Sequence, residues 1–434
     1  MNKKSKDIGL LKIKEPCRNQ VEFQMQSLEQ LLPYDHKARD VWSFVDDMDT
    51  APIFTEIKSL QGGSGRPVTS PKVLLAVWIY SILDGNTSAR KLEDLCHYHL
   101  AYKWLVGGTA VNRTMLANFR SIDPLKFEDL LTSCLAAMVQ TGLIDDRDFS
   151  QDGSRIKANA GFSSFRREAS LKKTKEEIQN YLQNLGSKAD YDKRKKQELI
   201  KKQERVNAAL KALEEARTER IKNGTRNRQA PKEEDLKKIR TSITDPSCRK
   251  MKMGDGGYRL AYNVQFATGL DSRVIFGVDV VNTLDPGTAS RMMAKVNNRL
   301  HRLNLSPAKN WLTDSAYSSK EDITEVAALF PNCCYISPAK VRKGCDPKKY
   351  QKTDSEAVKN WRDNLENPQN IELYKKRCST AEFSNAQVKN DGLTKFSVRG
   401  FLKVRGQVLL HAIANNIERF LDLKKKSRLS GMPI

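Results

Sequence analysis

Nowhere in its 434 residues does the chain hold an apolar run near the ~20 that cross a bilayer, and no signal-peptide pattern is present. A chain neither secreted nor membrane-spanning is therefore expected. Cysteine is present but unorganised. Its eight positions (17, 96, 134, 248, 333, 334, 345 and 378) follow no regular spacing, which argues against a disulfide framework and reads as reduced cytosolic thiols. The five histidines (36, 97, 99, 301 and 411) complete no four-ligand zinc set. Acid is also short: Asp+Glu 52 against Lys+Arg 75 leaves +23. An excess of base spread along the whole chain points to a polyanion, most commonly nucleic acid, although ribosomal or membrane-surface binding fits the charge equally well. The length suits two or three domains.

Residues 1–30 read as a loose basic arm, and 31–142 as a helical domain. Ser70-Pro71 opens a helix with an apolar stripe from Val73 to Leu83, Thr87 or Ser88 caps the next, and Asp123-Pro124 starts another. Between them, Asn112–Arg120 places Met115, Leu116 and Phe119 on one side, with Arg113, Asn118 and Arg120 beside them. Such a helix suits a helix-turn-helix reader of the major groove, and equally a helical bundle with a solvated basic face.

From Leu143 the period changes. Residues 143–164 look strand-like, with Asp152-Gly153 as a turn or bulge signal. Residues 165–245 are dominated by Lys, Glu, Arg and Gln, and a seam of Leu171, Ile178, Leu182, Leu185, Val206, Leu210, Leu213 and Ile221 predicts an inserted charged helical hairpin and linker. Strands over Tyr258–Ala267 and Arg273–Val281, a helix capped by Asp285-Pro286, a short strand ending at Asp314, a helix from Ser319 and a strand at Cys333–Ile336 fill 246–337. Residues 338–370 read as an irregular basic insertion, and 371–434 as closing helices with a basic tail. The fold class expected is α/β: a mixed sheet with helices, preceded by an all-α, helix-turn-helix-like domain.

Asp152, Asp314 and Glu382 stand out within this order. Each has a plain alternative: Asp152 as a turn residue, and Glu382 as the far end of a Ser379-x-x-Glu382 capping box. Asp314 ends a strand, where α/β sheets place ligands. Three carboxylates converging in so basic a chain suit phosphodiester chemistry, with two divalent ions about 3.5–4 Å apart.

Asp152-Gly-Ser-Arg-Ile-Lys-Ala-Asn-Ala160, Thr313-Asp314-Ser-Ala-Tyr317 and Tyr374-x2-Arg377-x4-Glu382-x6-Lys389 resemble the three signature blocks of bacterial insertion-sequence transposases of the DDE class. The helical region from about 31 to 121 is similar to their N-terminal domain, and Arg399-Gly400 with Asn415-Asn416 extends the likeness to the end. The resemblance implies a ribonuclease-H-like catalytic domain in which Asp152, Asp314 and Glu382 hold two Mg²⁺ or Mn²⁺ ions. It also implies that Tyr374, Arg377 and Lys389 grip DNA phosphates, with Arg113, Asn118 and Arg120 as further DNA contacts from the helical domain. The implied partner is double-stranded DNA, transposon ends and target, bound by a homo-oligomer of at least two copies near the bacterial nucleoid, with no membrane. Two departures are visible. Relatives often place the glutamate one residue nearer the arginine, and often carry glycine where Ser315-Ala316 precedes Tyr317. A catalytically inactive DNA-binding derivative is the second reading; a basic RNA- or ribosome-associated protein accounts for the charge alone.

Overall fold

The structure, a computed structural model, describes residues 27–55, 67–184, 191–223, 230–339 and 349–429, with Met25, Ile57 and Asp346. Most of the basic arm, Gly62-Gly63 and Gly186-Ser187, each of which reads in the sequence as a break between helices, and residues 430–434 lie outside the described residues.

Short apolar-periodic segments between helix breakers form α1 (Lys37–Asp47), α2 (Ala51–Phe54), α3 (Pro71–Leu83), α4 (Ala89–Tyr98), α5 (Leu100–Val106), α6 (Arg113–Phe119) and α7 (Pro124–Val139). Their ends follow from local chemistry. His36, Ser88, Asn112 and Asp123 accept from first-turn backbone N–H groups, and Pro71 and Pro124 sit where a missing N–H costs nothing. Gly107 ends α5 in the left-handed conformation.

The sheet begins with β1 (Asp148–Lys157). The chain then leaves it through β2 (Phe165–Arg167), α8 (Glu168–Asn184), α9 (Tyr191–Asn223) and α10 (Glu233–Lys237), and returns in β3 (Arg240–Ser242), antiparallel to β2. Leu171, Ile178, Val206, Ala209 and Leu213 give α8 and α9 a small core of their own. There follow β4 (Arg249–Lys252), β5 (Tyr258–Gly269), β6 (Ile275–Val281), α11 (Ala289–Arg302), β7 (Asn310–Leu312), α12 (Lys320–Leu329) and β8 (Cys334–Ile336). The chain closes with α13 (Glu356–Asn364), α14 (Pro368–Asn390) and α15 (Phe401–Leu429). Two elements were not expected. β4 pairs with β5, and α13 forms within the 338–370 segment read as irregular, its Arg362 bound to a fully buried Asp354 carboxylate.

β5 is the sheet's pivot. One edge pairs antiparallel with β4 and then β6, and the other with β1; β1, β7 and β8 continue in parallel. β6, β5 and β1 antiparallel, followed by β7 and β8 in parallel, make the ribonuclease-H-like mixed sheet, with β4 added beside β6 on the outer edge of β5.

α15 ties this sheet to the helical region, packing on α3, α7 and β6. Val404, Val408, Leu409, Ala412, Ile413 and Ile417 are wholly buried on it, the larger ones contributing about 1.5–3 kcal/mol each. Gly406 lets it approach Phe127, and Asn416 exchanges both amide hydrogen bonds with the Ile275 backbone, extending the edge of β6 with a side chain. Glu128 of α7 is bound by Arg299 of α11 and Arg405 of α15, each at 2.6 Å. One continuous hydrophobic core thus runs from Leu32 to Phe420 across both regions.

Candidate active site

Asp152 and Gly153 occupy the middle of β1, not a turn. The turn signal misleads because glycine is demanded here by tertiary contact: a Cβ on Gly153 would lie 2.3 Å from Gln265 Nε2 and 2.4 Å from Asp285 Oδ1. Asp285 does not cap α11, whose N-cap is Thr288. Its carboxylate instead accepts from Asn263 Nδ2 at 2.8 Å and Gln265 Nε2 at 2.9 Å. Side chains alternate along a strand, so Gly153 faces this amide layer while Asp152 faces α14.

Parallel pairing sets the second acid. Asp148, Phe149 and Ser150 lie opposite Asn310, Trp311 and Leu312, and the same offset carried two residues on brings Asp314 opposite Asp152. Asp314 stands just past β7, where its carboxylate accepts from Ala316 N at 2.7 Å and caps the short 3-10 turn Ser315–Tyr317. Ser315-Ala316 is therefore the start of that turn. Burial pushes the Asp152 carboxyl up to about 6; Arg377 opposes the rise, while Asp314 and Asp285 add to it.

α14 supplies the third wall. It starts at Pro368 with Asn367 as its cap, so Ser379 and Glu382 lie deep in the helix and the capping-box reading is corrected; Ser379 Oγ bonds Lys376 O. Arg377, Thr380, Ala381, Ser384, Asn385 and Val388 form its buried face. Tyr374 rests on the apolar group of Leu270, Leu312 and Ile336, seating the helix at the ends of β7 and β8. Arg377 donates to Asp152 Oδ1 at 3.1 Å, and Asn385 Nδ2 donates to Asp152 Oδ2 at 2.8 Å. Although burial opposes its charge, the Arg377 guanidinium is held above its ordinary pKa by Asp152, Tyr374 and Asp314.

Glu382 and Lys389 lie on the exposed side of α14. The structure brings Asp152, Asp314, Tyr374 and Arg377 into one site and leaves Glu382 on its outer flank. The offset between Arg377 and Glu382, five positions or about 500° of helix, puts them on different faces. Sequence reasoning missed Asn385 as a partner of Asp152. Its only signal was a polar amide one residue after Ser384 on a small-residue helix face.

In the helical region Arg113 and Asn118 are exposed. Arg120 is corrected as a DNA contact: it is 7% exposed, donates to Thr87 O at 2.7 Å and Ser397 Oγ at 2.8 Å, and stacks over Trp78. A basic residue beside an apolar stripe was taken for a surface residue, but α6 is covered there by the segment leading into α15.

Among the described residues, no three His, Cys, Asp or Glu side chains are grouped to hold a metal ion. The donor chemistry around Asp152 nevertheless fits a hard divalent cation. Two neighbouring carboxylates, Asp152 and Asp314, repel each other without a cation, and beside them the buried Asn385 Oδ1 has no hydrogen-bond partner.

Residues 26–121 match the family described as Transposase domain (DUF772), and residues 331–421 match the family described as Transposase DDE domain. No curated protein and no solved structure matches the chain.

Proposed function

Because the chain belongs to the insertion-sequence transposases of the DDE class, we propose that it binds the terminal inverted repeats of a mobile element and catalyses strand cleavage and strand transfer. The observation that carries this is the β1–β7 register, which sets Asp152 beside Asp314 at the site walled by α14. Asp152 and Asp314 would hold a divalent cation, Mg²⁺ or Mn²⁺, with Glu382 joining from the outer flank of α14. When bound, the cation supplies Lewis-acid polarisation of a phosphodiester and a nucleophile at neutral pH.

The chain's own residues do the rest. Arg377 balances the Asp152 charge and, with Tyr374 at its side, offers N–H donors to a phosphate entering the site. Lys389, exposed further along α14, adds a point charge to the same strand of DNA. Arg113 and Asn118 present an exposed edge of α6 for a second DNA contact. Pairing of two ends requires at least two copies of the chain.

The test is cleavage of a duplex carrying the element's end, with Mg²⁺ or Mn²⁺. Asp152→Asn, Asp314→Asn and Glu382→Gln should each lower cleavage by at least a hundredfold while end binding persists. Undiminished cleavage by the Asp314→Asn protein would overturn the assignment. A second reading, a DNA-binding derivative without catalysis, is favoured by Glu382 standing apart and by Arg377 and Asn385 occupying both oxygens of Asp152. It expects end binding and no metal-dependent cleavage by the parent protein.

A further inference from the structure

Asp152 receives two side chains from α14, and the motif containing Arg377 accounts for only one of them. Asn385, about two turns beyond Arg377, is 8% exposed and donates its amide nitrogen to Asp152 Oδ2 at 2.8 Å. An ionised carboxylate can only accept, so the amide orientation is dictated: the nitrogen meets Asp152 Oδ2, and the oxygen on the same carbon is left over. That oxygen is buried and has no hydrogen-bond partner. Buried polar atoms are rarely left so. Of the other polar side chains on this face, Thr380 is satisfied by Leu270 O and Lys376 O and Ser384 by Thr268, while Arg377 keeps one unpartnered atom, Nε, which as a donor cannot serve a cation.

We propose that Asn385 is a cation ligand of the site: Oδ1 gives a neutral oxygen to the divalent ion that Asp152 and Asp314 hold, while Nδ2 fixes the second oxygen of Asp152. The inference rests on the reading of Asp152 and Asp314 as metal-binding acids. Hard cations accept amide oxygens alongside carboxylates, and a neutral donor completes the set without adding repulsion between acids. The buried oxygen of Asn385 comes from the face of α14 turned to Asp152, while Glu382, one turn earlier, is on the exposed side, so the amide adds to the acids and does not replace one of them.

The experiment is a Mn²⁺ titration of the full chain without DNA, following free Mn²⁺ by electron paramagnetic resonance, with thermal unfolding in chelator as a check on folding. Parent protein should show a site abolished by Asp152→Asn. Asn385→Leu, of similar volume without the oxygen, should bind that Mn²⁺ at least tenfold more weakly; Asn385→Asp, which keeps an oxygen, should stay within a few-fold of the parent. If the leucine protein does not fold, Asn385→Ala takes its place. Anomalous scattering from Mn²⁺-soaked parent crystals gives the answer independently of any variant, the ion being expected within coordination distance of Oδ1. Parent-like affinity in a folded Asn385→Leu or Asn385→Ala protein, or Mn²⁺ held by Asp152 but remote from Asn385, would overturn the ligand role alone. Absence of any Asp152-dependent Mn²⁺ site would overturn the underlying reading as well.

Discussion

The guanidinium of Arg377 and the carboxylate of Asp152 meet at 3.1 Å, with Arg377 side chain 10% and Asp152 side chain 24% exposed. A charge this far from water depends on its partner, so removing one side strands the other. Arg377→Met should destabilise the fold at pH 8, and adding Asp152→Asn should restore most of the loss. A double-mutant cycle by urea unfolding is expected to give a coupling of roughly 1–3 kcal/mol; additive effects would mean that the pair contributes nothing.

Gly153 stands against Gln265 and Asp285 with no room for a methyl group. Neither neighbour can yield freely, because Gln265 Nε2 and Asp285 Oδ1 are bonded to each other at 2.9 Å. Gly153→Ala should cost about 1–3 kcal/mol, the range for overpacking, measured as a lower urea midpoint at unchanged slope. Pairing it with Asp285→Ala, which clears part of the space, should recover some of that loss.

The arginines at the two ends of α6, Arg113 at its start and Arg120 just past it, divide by burial. Arg113→Ala should weaken binding to any DNA duplex and lower the steepness of its salt dependence by about 1, read from binding isotherms at several salt concentrations. Arg120→Ala should leave that slope unchanged and lower the melting temperature, since Arg120 ties Thr87 to Ser397 within the core.

Asp391, at the end of α14, is 5% exposed; burial, and then Glu418, push its carboxyl up to about 7. A folded-state value above the unfolded one of 3.8 means that the folded protein binds the proton more tightly. The stability this contributes is full below pH 3.8 and is lost as pH rises through 7. Asp391→Asn should therefore flatten the fall in stability between pH 4 and pH 8, gaining at most roughly 4 kcal/mol at the alkaline end. Parallel profiles for variant and parent would contradict this.

Much of the scaffold was legible in local chemistry. Ser88 and Asp123 capped where expected, and the alternation from Tyr258 onward became β5. What escaped notice depended on distant residues. Asp152-Gly153 has the composition of a turn, and it takes Gln265 on β5 and Asp285 beyond β6 to show why the glycine sits in a strand. Ser379-x-x-Glu382 satisfies a capping pattern, yet Asn367 had already started the helix. Arg120 reads as a surface cation until the chain around Ser397 covers it. Asn385 showed only as an amide on a small-residue face, because its partner lies on a strand more than two hundred positions away.

Arg167 and Arg240 close the β2–β3 pair as direct partners. Everything between them, the whole charged hairpin, leaves and re-enters the chain at a single point in space. Splicing Arg167 to Arg240 through a short Asn-Gly turn would thus excise the hairpin as a cassette and keep the pairing of β2 with β3. The Asp152–Asp314 register rests on β1 and β7, neither of which lies within the excised segment.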